Sequence, residues 1–212
     1  MQFGLKNRLR LISLLPIVVL FAMTSYYVYN SFLGFNAAQQ LQNRLEQNRK
    51  LNEVIHNVAR ERGMSAMYLG NKTDNILKSL HEQRKVVDQK VESFLQFAQD
   101  SKTSHVDSKS NDKSTNEIDT VIATVSKIKA VRPLVDALGI EPAELMDVYV
   151  TAQAIFIKQL TQITENQIDK EVGELYSIYI AMANAKEASG IERAHMAYIL
   201  SHSTKLESED LS

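Results

Sequence analysis

The chain has 212 residues, 44% of them hydrophobic, and a formal net charge of -1, which excludes both a disordered polyelectrolyte and a basic nucleic-acid binder. It contains no cysteine, so disulfide frameworks, thiolate metal sites, iron–sulfur clusters and covalently attached haem are excluded as well. Glycine (7) and proline (3) are scarce and tryptophan is absent, while Gln, Asn, Lys, Glu, Leu and Ala fill long stretches, a composition that favours helices.

Residues 1–10 carry Lys6, Arg8 and Arg10, and no further charge occurs until Arg44. The uncharged run 11–33 is long enough, at about 1.5 Å per residue, to cross a hydrocarbon core of about 30 Å as one helix. Pro16 is tolerable near its start, and Tyr26, Tyr27 and Tyr29 fall where an interfacial aromatic belt lies. Basic residues before the span, with no compensating acid, place the N-terminus in the cytoplasm and everything after Phe35 outside, which in a bacterium means the inner membrane and the periplasm. The same features also describe a signal peptide cleaved near Ala22-Met23-Thr24, although the apolar stretch runs on past it.

Residues 35–212 read as an all-α, antiparallel helical bundle. Leu41, Leu45, Leu51, Ile55, Val58, Ala59, Ala66 and Leu69 hold helical spacing from the membrane exit to Gly70. Thr73 or Asp74 caps a second helix that runs through Ile76, Leu80, Val87, Val91 and Phe94 to Asp100. Residues 101–116, rich in Ser, Asp, Lys and Asn, read as a mobile surface loop. A third helix is expected over 117–138 with a kink at Pro133, and Gly139 and Glu141-Pro142 punctuate the turn to a fourth, marked by Leu145 through Ile163. A fifth runs from Ile168 to Leu200, and the tail 207–212 reads as the cap of a further helix, so the chain is expected to be a fragment.

Two helices place cations on apolar stripes. Alternating steps of three and four through Ile55, Ala59, Arg62, Ala66 and Leu69 put Arg62 on a buried face, with Arg60 about 200° further round. On the fifth helix, Ile168, Val172, Leu175, Tyr179, Met182, Lys186, Ser189, Arg193, Met196 and Leu200 form one stripe that carries Lys186 and Arg193 inward. A guanidinium keeps its charge when buried and must find an acid or bind an anion. Meeting faces would form a small cationic pocket with Ser65 and Ser189 as hydroxyl donors, suited to a planar oxyanion held by forked hydrogen bonds. Alternatively Arg62 and Arg193 pair with Glu192 and Glu61 and bind nothing.

The strings Arg60-Glu61-Arg62-Gly63-Met64-Ser65-Ala66 and Ala185-Lys186-Glu187-Ala188-Ser189-Gly190-Ile191-Glu192-Arg193-Ala194 resemble the two signature segments of the nitrate- and nitrite-sensing (NIT) domain family. The resemblance implies a ligand-binding domain of two packed four-helix bundles, its C-terminal part missing here, standing in front of an antiterminator, chemoreceptor, histidine kinase or cyclic-dinucleotide output. Carried over by motif, the implied anion ligands are Arg60, Arg62 and Arg193, to which the stripe reading adds Lys186, Ser65 and Ser189 in support; Met64 and Ile191 depart from the polar residues expected there. The expected partners are nitrate or nitrite, the lipid bilayer, a second copy in a homodimer and a cytoplasmic output domain, with no nucleic acid. Two other readings stay open: a chemoreceptor-type helical sensor for another small anion or carboxylate, and a structural membrane-tethered helical protein.

No Ser/His/Asp order, paired catalytic carboxylates or Gly-rich phosphate loop can be assembled, so neither catalysis nor a cofactor is expected. His195 and His202 share a helix at seven residues' separation, too far for the usual metal pair. The tyrosines and methionines at 64, 67, 68, 176, 179, 182, 196 and 198 are expected in the bundle core.

Overall fold

A computed structural model describes residues 5–103, 111–165 and 170–209, which form five helices and no strand. They are α1 (Leu5–Asn71), α2 (Asp74–Thr103), α3 (Asn111–Asp136), α4 (Pro142–Glu165) and α5 (Lys170–Glu209). The chain divides into two units, Met1–Leu45 and Glu46–Ser212.

The first unit is the N-terminal part of α1. Its segment Leu14–Phe35 is 22 residues of uncharged, largely apolar helix, long enough to cross a membrane, and its side chains are exposed throughout. Pro16 lies within the helix as expected near its start.

In the second unit, residues at steps of three and four on each helix meet in one core. Leu51, Val54 and Val58 of α1 pack with Leu80, Val87, Val91 and Phe94 of α2, with Val121, Val125, Ile128 and Val135 of α3, and with Leu145, Tyr149, Phe156 and Leu160 of α4. Fully burying one such aliphatic or aromatic side chain is worth about 1.5–3 kcal/mol, so this apolar seam is the main organising force. Directions follow from cross-helix bonds. Lys90 Nζ to Glu53 and Gln83 Nε2 to the Asn57 carbonyl make α2 antiparallel to α1, Arg84 and Arg132 bind Asp136 and Asp88 across an antiparallel α2–α3 pair, and Gln153 to the Ile55 carbonyl and the Tyr149 hydroxyl to Glu61 set α4 antiparallel to α1.

α5 returns parallel to the 46–71 part of α1. Asn48 donates to the Tyr176 hydroxyl at 3.4 Å, Arg62 meets Glu187, and a Cβ on Gly70 would stand 2.8 Å from both the Ser201 Cβ and the Tyr198 carbonyl. Gly70 is required there because the two backbones touch. The helix ends beside it in Lys72, at φ 52°, whose N–H reaches the Tyr68 carbonyl at 2.8 Å. Thr73 then accepts the Leu77 N–H at 3.1 Å and opens α2, as its position before Asp74 predicts.

Three expectations need correction. Residues 101–103 and 111–116 are helical, extending α2 and beginning α3, so the segment 101–116 is not loop throughout; residues 104–110 lie outside the described residues. At the punctuation expected at Gly139, its N–H closes the end of α3 on the Leu134 carbonyl at 2.8 Å, next to a left-handed Leu138 at φ 55°. The stripe expected to face inward on α5 is exposed: Leu175, Met182, Lys186, Ser189, Arg193, Met196 and Leu200 all face out, while Tyr179 is half-buried, and Ile168 and the Val172 side chain lie outside the described residues. The packed face combines small residues, Ala183, Gly190, Ala194, Ala197 and Ser201, with Tyr176, Tyr179, Ile180, Glu187, Ile191 and Tyr198. Close approach to the α1 backbone selects small side chains, and a hydrophobic stripe traced through bulky ones follows the other face. Of the expected core tyrosines and methionines, Tyr68 is buried, Met64, Tyr176, Tyr179 and Tyr198 are half-buried, and Met67, Met182 and Met196 are exposed.

Candidate functional site

The string Arg60-Glu61-Arg62 sends its three charges in three directions, as consecutive residues 100° apart must. Glu61 is completely buried and turns into the α1–α4 core. Its carboxylate accepts Arg132 Nε at 2.9 Å and Nη2 at 3.0 Å, and the Tyr149 hydroxyl at 2.8 Å, with Arg84 Nε 3.7 Å away. Arg132 also holds both oxygens of Asp88 at 3.0 Å, and Arg84 donates to Asp136 at 2.7 Å. A lone buried carboxylate is prohibitively costly, and this network satisfies it from three neighbouring helices. Burial, reinforced by the Glu61 carboxylate, pushes the Tyr149 phenol well above its ordinary value, so Tyr149 remains a neutral donor.

Arg62 is likewise 0% exposed, as its apolar stripe predicts, but points to α5. Its Nη1 donates to Glu187 Oε1, and its Nη2 lies 3.4 Å from Glu187 Oε2, a forked arrangement on one carboxylate. Among the described residues, Nε of Arg62 has no hydrogen-bond partner. One turn on, Ser65 is completely buried; it sits close enough to Tyr149 to influence its ionisation, yet its Oγ makes no hydrogen bond of ordinary geometry. Cross-pairing of the arginines with Glu61 and Glu192 does not form among the described residues: Arg62 takes Glu187, and Glu61 takes Arg132.

Gly190 marks the point where the two signature segments meet. A Cβ placed on it would stand 2.9 Å from Arg62 Nη2, 3.8 Å from Glu187 Oε2 and 3.9 Å from Arg193 Nη2. The guanidinium of Arg193 is exposed along the helix surface, but its tip reaches this same spot, so Arg62 and Arg193 are brought to one place with the Glu187 carboxylate beside them. Arg60, Lys186 and Ser189 stay exposed. The first two nevertheless belong to the same neighbourhood. His56, one turn before Arg60, is held below the usual histidine value by partial burial first and then by the charges of Lys186, Arg60 and Arg193. Four cations, Arg60, Arg62, Lys186 and Arg193, thus converge on one region of the α1–α5 seam, with one carboxylate clamped on the buried member.

Sequence reasoning missed four participants. Arg84 and Arg132 also sit on apolar stripes, Leu77-Leu80-Arg84-Val87-Val91 and Val125-Ile128-Arg132-Val135, so the test that found Arg62 applies to them. Glu187 falls on the small-residue face of α5, three residues before Gly190, and His56 four before Arg60; only the correct phase of α5 reveals them.

Comparison with known proteins adds one match. A family model described as nitrate and nitrite sensing (NIT) covers residues 53–212, a span that includes both signature segments. No curated protein and no solved structure matches the chain.

Proposed function

The chain belongs to the nitrate and nitrite sensing family over residues 53–212, and from that membership we propose that it is the extracytoplasmic ligand-binding module of a bacterial transmembrane receptor, binding nitrate or nitrite at the α1–α5 seam. The family is one of sensor domains and not of enzymes. The observation that carries the reading is the wholly buried Arg62 fork in the first signature, brought together with Arg193 of the second around Gly190. A planar oxyanion of one negative charge matches such a fork, and the surrounding Arg60, Lys186 and Arg193 supply excess positive potential that draws it in. Ser65, wholly buried one turn on, offers a hydroxyl. Ser189 stands exposed and is the weakest member of the expected set.

In this reading Leu14–Phe35 anchors the chain in the inner membrane, with Lys6, Arg8 and Arg10 on the cytoplasmic side and the bundle in the periplasm. The site is carried on the same helix as the anchor, α1, so a rearrangement of α1 against α5 has a covalent path to the bilayer and to an output domain, within a homodimer. A periplasm-active reporter fused after Ser212 should be active and fractionate with membranes; a soluble product lacking the first two dozen residues would mean that the apolar segment is a cleaved signal.

Ligand binding is tested on the full chain in lipid nanodiscs. Nitrate at a hundredfold excess over Kd should raise folding stability by about 2.7 kcal/mol relative to chloride at equal ionic strength. Arg62→Ala and Arg193→Ala should each weaken binding tenfold to a hundredfold, since each removes charge-assisted donors worth about 1.5–3 kcal/mol. Stability unchanged by tens of millimolar nitrate or nitrite would defeat the assignment. Stabilisation by acetate but by neither nitrogen oxyanion would instead make the site a carboxylate sensor, a reading favoured by the carboxylate that Arg62 already holds.

A further inference from the structure

The Arg62 fork is not empty. Glu187 reaches it from α5 and lays its two carboxylate oxygens against the two terminal nitrogens, with its own side chain 14% exposed and that of Arg62 0% exposed. A carboxylate edge and a nitrate or nitrite edge present the same pattern: two oxygens on a planar, singly negative group. An external anion therefore cannot take the Nη1–Nη2 edge of Arg62 while Glu187 holds it, because both terminal nitrogens already face that carboxylate. We propose that Glu187 is a built-in competing ligand of the Arg62 site, displaced by the planar oxyanion, and thus the residue that sets affinity and couples occupancy to the position of α5.

The inference rests on the anion-binding reading above and deepens it. Two further features fit displacement better than a permanent bridge. Arg62 Nε has no hydrogen-bond partner among the described residues, so the buried guanidinium is incompletely satisfied by Glu187 alone. The carboxylate also has somewhere to go. Its Oε2 and Arg193 Nη2 lie 3.8 and 3.9 Å from the same Gly190 Cβ position, so the exposed cation stands beside the carboxylate as an alternative partner. The apparent affinity of a site open only part of the time falls in proportion to the open fraction, so weakening the internal competitor must tighten ligand binding.

Nitrate titrations of the full chain in nanodiscs, wild type against Glu187→Gln and Glu187→Ala, read this directly. Glu187→Gln keeps the shape and one acceptor oxygen but loses the charge, and hydrogen bonds to charged groups are roughly twice as strong as neutral ones. Both variants should bind nitrate about tenfold more tightly than wild type, a shift of about 1.4 kcal/mol. A residue that merely supports the fold would lower affinity when replaced, never raise it. Should Glu187→Ala fold poorly, spin labels on single cysteines replacing exposed Met67 and His195 give a second readout in a chain otherwise free of cysteine. The α1–α5 distance should change on adding nitrate to wild type, and Glu187→Gln should show the changed distance without ligand. Equal or weaker nitrate binding by the variants, beside a wild type that does bind, overturns the competitor and leaves the sensor standing. Binding by neither wild type nor variants overturns both.

Discussion

Arg62 and Glu61 are neighbours in sequence with opposite charges, both wholly buried, and they never meet: one faces α5 and the other α2, α3 and α4. The burial of Arg62 was legible because a charged residue interrupting an apolar stripe must be buried or break the stripe. Its partner was not, since choosing among Glu61, Glu187 and Glu192 needs the phase of α5 to within one residue. His56 is the residue that reports on this charge arrangement. Its folded-state value lies below the ordinary 6.5, so the unfolded chain takes up the proton more readily; the stabilising contribution is present above pH 6.5 and is lost as pH falls through the folded value. An anion bound among Lys186, Arg60 and Arg193 offsets their repulsion, and the His56 value should then rise. A proton NMR titration of His56 with and without nitrate checks both, and a midpoint at or above 6.5 without ligand would contradict the clustering of cations.

The helices were legible as elements because each carries three- and four-step apolar spacing over many turns and stops at a recognisable signal. Boundaries fell where turn chemistry is explicit, at Thr73 and at Pro142, and went astray at 101–116, where a polar composition is equally compatible with helix ends projecting past the core. The phase of α5 was illegible for a related reason: apolar residues surround it, with Leu175, Ile178, Met182, Met196, Ile199 and Leu200 exposed, so hydrophobicity alone does not choose the packed face. The α1–α2 turn offers a clean test of local strain. Lys72 holds a left-handed backbone at φ 52° on an exposed site. That conformation costs a side-chain-bearing residue about 1–2 kcal/mol, against about 0.5–1 kcal/mol of extra chain entropy lost by glycine. Lys72→Gly should therefore raise stability by about 0.5–1 kcal/mol, seen as a higher urea midpoint with an unchanged slope. A fall would mean that the lysine side chain contributes more than its backbone loses.

At the scale of the molecule, a long apolar N-terminal helix followed by an all-helical bundle followed from composition and spacing alone. What spacing could not supply was the parallel lie of α5 along α1, established by Asn48–Tyr176, Arg62–Glu187 and Gly70–Ser201. That arrangement has a mechanical meaning. A tether at residue 47 and another at 202 pull α1 and α5 past each other along their shared axis, so the whole seam, including the Arg62–Glu187 clamp, resists at once. Tethers at 47 and 158 grip the same end of the bundle, where the Tyr176 hydroxyl joins Asn48 to the Leu160 carbonyl at 2.5 Å, and peel α4 away one contact at a time. In force spectroscopy the first geometry should rupture at markedly higher force than the second, and Glu187→Ala should lower only the first. Equal forces would mean that α5 bears no load along α1.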